Sequence, residues 1–389
     1  MQLRPLETYD VSADRGFLCK YDAARVALPD SLDTIRHFAM SLPDRIVTGR
    51  ARRDIERLEE VPAAALEAIG DDAVLRAALV HYAFLAQAYV WCEDEVPAKL
   101  PRTIARPLWA LAGRVGQPPI LTYSQYVLDN WSCIDQDGPV DLANTRMVQP
   151  FIAGQDEAWF VLVHVAIEAA AGRMLARIPA AIAAADAGAI DTLTAELEAM
   201  LGVWDEMQAA FNRMPERCDP YIYFQRVRPW IHGWKDNPAM PDGIVYEGVE
   251  EACGRPQSFR GQTGSQSSIV PVMDALLAIG HGHDPLRGYL DELHVYRPPG
   301  HRAFIDEVRA ASSVRETVAR VRDPSLTEAY NDCLERLTRF RTRHLEYAAS
   351  YIHKQSRGTA GNATDVGTGG TPFMKYLKKH RDEANAHRL

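Results

Sequence analysis

Across 326–352, apolar residues return every three or four positions, at Leu326, Tyr330, Cys333, Leu337, Phe340, Tyr347, Ala348 and Tyr351. That spacing predicts one long helix with a single inward stripe. His344 takes the place on the stripe that follows Leu337 and Phe340, and Arg341 lies one turn before it. An imidazole on the inward face of a core helix either bonds a neighbour or binds a metal. In the second case His344 suits an axial haem ligand, with Arg341 placed to meet a haem propionate. His164 and Glu168 stand at i and i+4 of another helical run, a spacing that allows a shared metal, a hydrogen bond or an ion pair. Neither HExxH nor a pair of ExxH motifs accompanies them. The six cysteines form no CxxC, which argues against a zinc knuckle or a covalently attached haem.

The elements that must position these groups are helical. Helical periodicity covers 31–41, 51–69, 72–93, 103–115, 156–187, 190–213, about 268–280 and 301–311, and a last helix restarts after Thr371-Pro372. Pro179 is expected to kink or split the 156–187 helix. Asp323-Pro324 opens the His344 helix, with Ser325 and Glu328 at capping-box spacing. Gly243–Val249 is the best strand signal, while Gly116–Pro119 breaks the chain and 135–154 reads as a connection. The expected architecture is all-α: a smaller N-terminal helical domain over 1–134, a connecting segment over 135–155, and a larger helical domain over 156–389.

The composition limits the function. The chain has 389 residues, enough for roughly two domains of about 150 residues. Its formal net charge of −9 argues against a protein that grips nucleic acid or an anionic membrane. The apolar stretches Ala77–Trp91 and Trp159–Ala171 are interrupted by polar residues and fall short of the about 20 residues a membrane span needs. The N-terminus has no apolar core of a signal peptide, and scattered single thiols fit the cytoplasm.

Six segments carry a resemblance: Pro118–Trp131 (PPILTYSQYVLDNW), Gly233–Gly248 (GWKDNPAMPDGIVYEG), Gly264–Asp274 (GSQSSIVPVMD), Tyr296–Phe304 (YRPPGHRAF), Arg341–Ile352 (RTRHLEYAASYI) and Gly367–Met374 (GTGGTPFM). Together, and in this order, they resemble the indoleamine 2,3-dioxygenase family. The resemblance implies a large α domain that binds haem b, capped by a smaller α domain. It also implies opening of the indole pyrrole ring of L-tryptophan or a related indole by O2, with an electron donor that keeps the iron ferrous. A monomer is expected.

Residue by residue, His344 matches the proximal iron ligand, and Asp274 and Arg341 match a charged pair on that side. Arg228 matches the residue that binds the substrate carboxylate; its spacing beside Arg226 alone fits a surface arginine equally well. Tyr123 and Phe160 match aromatic positions of the indole pocket, and Tyr223, where the family usually has Phe, falls in it with Phe224. Thr263 and Gly264 match the pocket wall over the haem, and Thr368 matches a loop that closes over the substrate. His164 departs from mammalian-type members, which carry serine, and resembles the distal histidine of tryptophan 2,3-dioxygenases. A histidine there is expected to accept the indole N–H or to bond iron-bound oxygen. Two other outcomes stay open: oxidation of a tryptophan-derived indole in a secondary-metabolite pathway, and a haem-binding sensor without turnover.

Overall fold

The computed structural model describes residues 2–280, 285–355 and 373–389. It is mainly α-helical, with a few strands of two or three residues. Three long helices frame the interior. Gln155–Leu175 and Pro324–Ala348 both pack against Ile190–Asn212, and Phe373–Ala386 lies along Pro324–Ala348. Ile269–Leu276 and Pro299–Ala311 pack together beside this frame. Asp72–Trp91 packs on Arg102–Val115, and one continuous hydrophobic cluster runs from Tyr9 to Ala384.

Local chemistry explains most of the boundaries. The Asp71 carboxylate accepts the Ala73 N–H at 2.8 Å and starts the Asp72–Trp91 helix. Pro179 does split its run: the first helix ends at Leu175, and Ile178–Ala187 begins with the proline in its first turn, where a missing N–H does no harm. The His344 helix is capped by Asp323, whose carboxylate accepts the Leu326 N–H at 2.9 Å, and not by the Ser325–Glu328 box. Pro324 at the first helical position moves the cap back to the residue before it. The expected 51–69 helix is two short ones, Ala51–Ile55 and Ala63–Glu67, with Pro62 as the second N-cap.

Two expectations on chain direction and polarity need correction. The Gly243–Val249 strand is Ile244–Tyr246, and four more short strands pair where the sequence carried no alternation. Lys99–Leu100 runs parallel to Ile244–Tyr246, which is antiparallel to Pro256–Gln257. Trp131–Cys133 pairs antiparallel with Thr145–Met147, so a hairpin occupies much of the expected connection. Asp72–Trp91 and the run Gln155–Ala187 are long and apolar enough to cross a membrane by length and composition. Burial accounts for that polarity: 83% and 72% of their most apolar windows lie inside the fold.

Candidate active site

The stripe on the His344 helix changes character along its length. Leu326, Tyr330, Cys333 and Leu337 are fully buried, whereas Phe340, His344 and Tyr347 are partly accessible. The reason is a cavity of about 700 Å³ that the second half of the stripe faces. His344 lines it from the Pro324–Ala348 helix and His164 from Gln155–Leu175. A smaller pocket of about 150 Å³ adjoins it and shares both histidines and Gly264. Burial, with the neighbouring His164, pushes the His344 imidazole down to about 4, so the ring is neutral at pH 7. No hydrogen bond engages it among the described residues.

His164 is oriented by its own helix. Its Nδ1 lies 2.7 Å from the Phe160 carbonyl, which only accepts, so Nδ1 carries the hydrogen. Burial lowers the pKa of this ring as well. In the neutral ring Nε2 then holds a lone pair, an acceptor at the cavity. His164 does not bond Glu168, contrary to the pairing that i,i+4 spacing allowed. Glu168 instead accepts from the Tyr123 hydroxyl at 3.0 Å and from the Ser267 hydroxyl at 2.8 Å. Its other oxygen is buried without a partner, and burial pushes the carboxyl up to about 7.

Tyr123 is presented by a polar loop. Its backbone N–H donates to Gln266 at 2.9 Å, and Gln266 donates in turn to the Gly261 carbonyl at 3.0 Å. The Gln117 side chain donates to the Tyr296 carbonyl at 2.7 Å and anchors the start of the loop. Aromatic rings extend from there into the smaller pocket. Phe160 lies 4.7 Å from His164 and 4.7 Å from Tyr223, centroid to centroid. Thr263 and Gly264 close the pocket, and a Cβ at Gly264 would project into open space. Phe224 and Arg228 are fully buried and line neither cavity. The Arg228 guanidinium sits 5.5 Å from the Phe224 ring, and burial lowers its pKa to about 10. Arg228 is therefore not a surface arginine. Thr368 lies outside the described residues.

On the other side, Arg341 Nη2 reaches both Asp274 oxygens, at 2.8 and 2.6 Å, with both side chains largely buried. Tyr123, His164, Asp274, Arg341 and His344 thus converge on one cavity, and Phe160, Tyr223, Thr263 and Gly264 on the pocket beside it. Sequence reasoning missed Glu168 as the partner of Tyr123, Gln266 and Ser267 as supports, and Arg297 in the cavity wall. Gln266 and Ser267 stood inside the GSQSS segment, and Arg297 inside YRPPG, where only their turn character was legible.

The donor set suits one kind of metal. Among the described residues no group of three His, Cys, Asp or Glu side chains converges on a point. A neutral imidazole facing a cavity with apolar walls, without a cluster of protein donors beside it, fits a metal whose remaining donors arrive with a flat cofactor. Phe211, Val270 and Phe340 supply such walls.

Comparison with known proteins places the chain among its relatives. The family model described as indoleamine 2,3-dioxygenase matches residues 5–387. The chain is 33% identical to indoleamine 2,3-dioxygenase 1 of Rattus norvegicus over 392 residues, 97% of this chain and 94% of the relative. It is 31% identical to indoleamine 2,3-dioxygenase of Saccharomyces cerevisiae over 363 residues, 82% of this chain and 79% of the relative. It is also 28% identical to a myoglobin of Haliotis madaka over 384 residues, 97% of each chain.

Proposed function

Since the chain belongs to the indoleamine 2,3-dioxygenase family, we propose that it opens the pyrrole ring of L-tryptophan or a related indole with O2, giving N-formylkynurenine or its analogue. The observation that carries this reading is the pair of neutral imidazoles, His344 and His164, on one cavity. His344 would hold the iron of haem b, and the Asp274–Arg341 pair would fix the helix that bears it. Haem b, when bound, supplies the redox chemistry that activates O2.

The chain's own residues supply position and polarity. His164 Nε2 accepts the indole N–H, because its Nδ1 is committed to Phe160. Phe160 and Tyr223 stack against the ring, and Gly264 leaves the space that a flat substrate needs. Arg228 would bind the substrate carboxylate, a task its planar guanidinium suits, by turning toward the smaller pocket, which it does not line in this structure. Orientation of this kind removes part of the entropic barrier. Burial keeps Glu168 largely protonated below about pH 7, which limits the negative charge at the cavity. The reading includes an external electron donor and a monomeric chain. It also assigns 1–134, 135–155 and 156–389 as small domain, connection and large domain, supported by a cavity lining that, apart from Tyr123, comes wholly from beyond 156.

A non-catalytic oxygen-binding role is favoured by one observation, the relative named a myoglobin. One experiment separates the two. The reduced, haem-loaded protein is given L-tryptophan under air, and the product is weighed. Gain of two oxygen atoms supports the dioxygenase. Gain of one indicates a monooxygenase, and no product indicates a carrier or sensor.

A further inference from the structure

Arg297 is a cation that the fold buries beside the cavity with no carboxylate among the described residues bonded to it. It is 3% exposed and lines the larger cavity. Its Nε donates to the Ser267 carbonyl at 3.2 Å and its Nη2 to the Ser265 carbonyl at 2.7 Å. Nη1 meets no acceptor among the described residues. Carbonyl dipoles satisfy N–H groups but carry no net charge, so the cation remains uncompensated. Burial accordingly lowers its pKa to about 10.

The other cations of the wall are already matched. Arg341 is held by Asp274, and Arg309 by Asp306, which also bonds His294. The charge of Asp306 reaches Arg297 and favours its ionised form, but Arg309 acts in the opposite sense. A buried, unpaired guanidinium aimed at a cavity is a receptor for a carboxylate that enters with a ligand.

We propose that Arg297 binds a haem propionate. This rests on the haem reading above and changes its detail: Arg341 lies on the His344 helix, but its charge is spent on Asp274, so anchoring of the propionate passes to Arg297. A substrate carboxylate is the competing source. Against it, Arg297 lines the larger cavity with His344 and not the smaller pocket with Phe160 and Tyr223. The two carboxylates of haem b leave one edge of the ring, which suits an anchor in the wall.

The test compares hemin with its dimethyl ester in the wild type and in Arg297→Met, following transfer of the bound tetrapyrrole to an excess of a scavenging apoglobin. Loss of one charged hydrogen bond predicts roughly tenfold to hundredfold faster loss of hemin from R297M. The wild type should lose the ester faster than hemin by a similar factor, and R297M should treat the two nearly alike. Equal discrimination in both proteins overturns the proposal. So does a raised KM for tryptophan with discrimination unchanged, which gives Arg297 to the substrate. Should R297M fail to fold by circular dichroism, Arg297→Gln carries the same test. It removes the charge and keeps a polar side chain, so a narrowed gap between hemin and ester supports the anchor and an unchanged gap overturns it. If the wild type binds neither tetrapyrrole, the haem reading itself fails.

Discussion

Replacing Glu168 by Gln should remove a slope from the pH dependence of folding stability. Burial lifts this carboxyl from an ordinary 4.5 to about 7 in the folded chain. Below 4.5 the group is protonated in both states, and its contribution is fully present. Between 4.5 and about 7 the folded chain keeps a proton that the unfolded chain has released, so stability falls as pH rises. About 2.5 units at about 1.4 kcal/mol each gives a total loss of about 3.5 kcal/mol, which levels off once the folded group ionises. Glu157, lifted to about 7 by its own burial, contributes a second fall over the same range. Gln has the shape of Glu, and its carbonyl oxygen can still accept from Tyr123 and Ser267. Its amide nitrogen would meet the place where the second carboxylate oxygen has no partner, a penalty that does not vary with pH. The readout is therefore a slope. Urea unfolding followed by circular dichroism at pH 5, 6, 7 and 8, on haem-free samples, should show E168Q gaining about 2.5 kcal/mol relative to wild type across the range. A constant offset between the two proteins at every pH would show that Glu168 does not take up a proton on folding.

Other substitutions test the roles assigned to the site. His344→Ala should lose the haem Soret band or release haem readily, whereas a normal spectrum with normal turnover would remove the ligand assignment. Arg228→Gln should raise KM for tryptophan about tenfold or more with haem content unchanged, as expected for one charged hydrogen bond; an unaltered KM dismisses the carboxylate contact. His164→Ala should reduce kcat/KM for tryptophan roughly tenfold but leave 1-methyltryptophan, which lacks the N–H, nearly unaffected. Equal losses on both substrates would show that Nε2 does not receive the indole.

Much of the helical frame was legible because long helices bury stripes, and stripes repeat. The His344 helix is the clearest case: its inward residues fixed the direction of the imidazole before any contact was known. The short strands at Lys99–Leu100 and Pro256–Gln257 were not legible, since two residues cannot display an alternating pattern. The same limit hid the partners of charged groups. Spacing put His164 beside Glu168, yet His164 bonds a carbonyl one turn back, and Glu168 bonds Tyr123, 45 positions away. Arg297 read as part of a rigid turn, because its significance lies in what the fold withholds from it, and sequence neighbours carry no trace of that.

Three turns with π-helical bonding stand beside the pocket residues. Ser124–Leu128 begins just after Tyr123, Tyr223–Val227 begins with Tyr223, and Ala349–His353 contains Tyr351. Each closes a wider hydrogen-bonded ring than an α-turn does, and such widened turns recur at functional sites. Deleting a residue from any of them would remove the residue that the wide turn accommodates and displace the pocket ring it carries or follows. The residue count through these three stretches thus helps aim the pocket rings, and single-residue insertions or deletions there should be less tolerated than most substitutions.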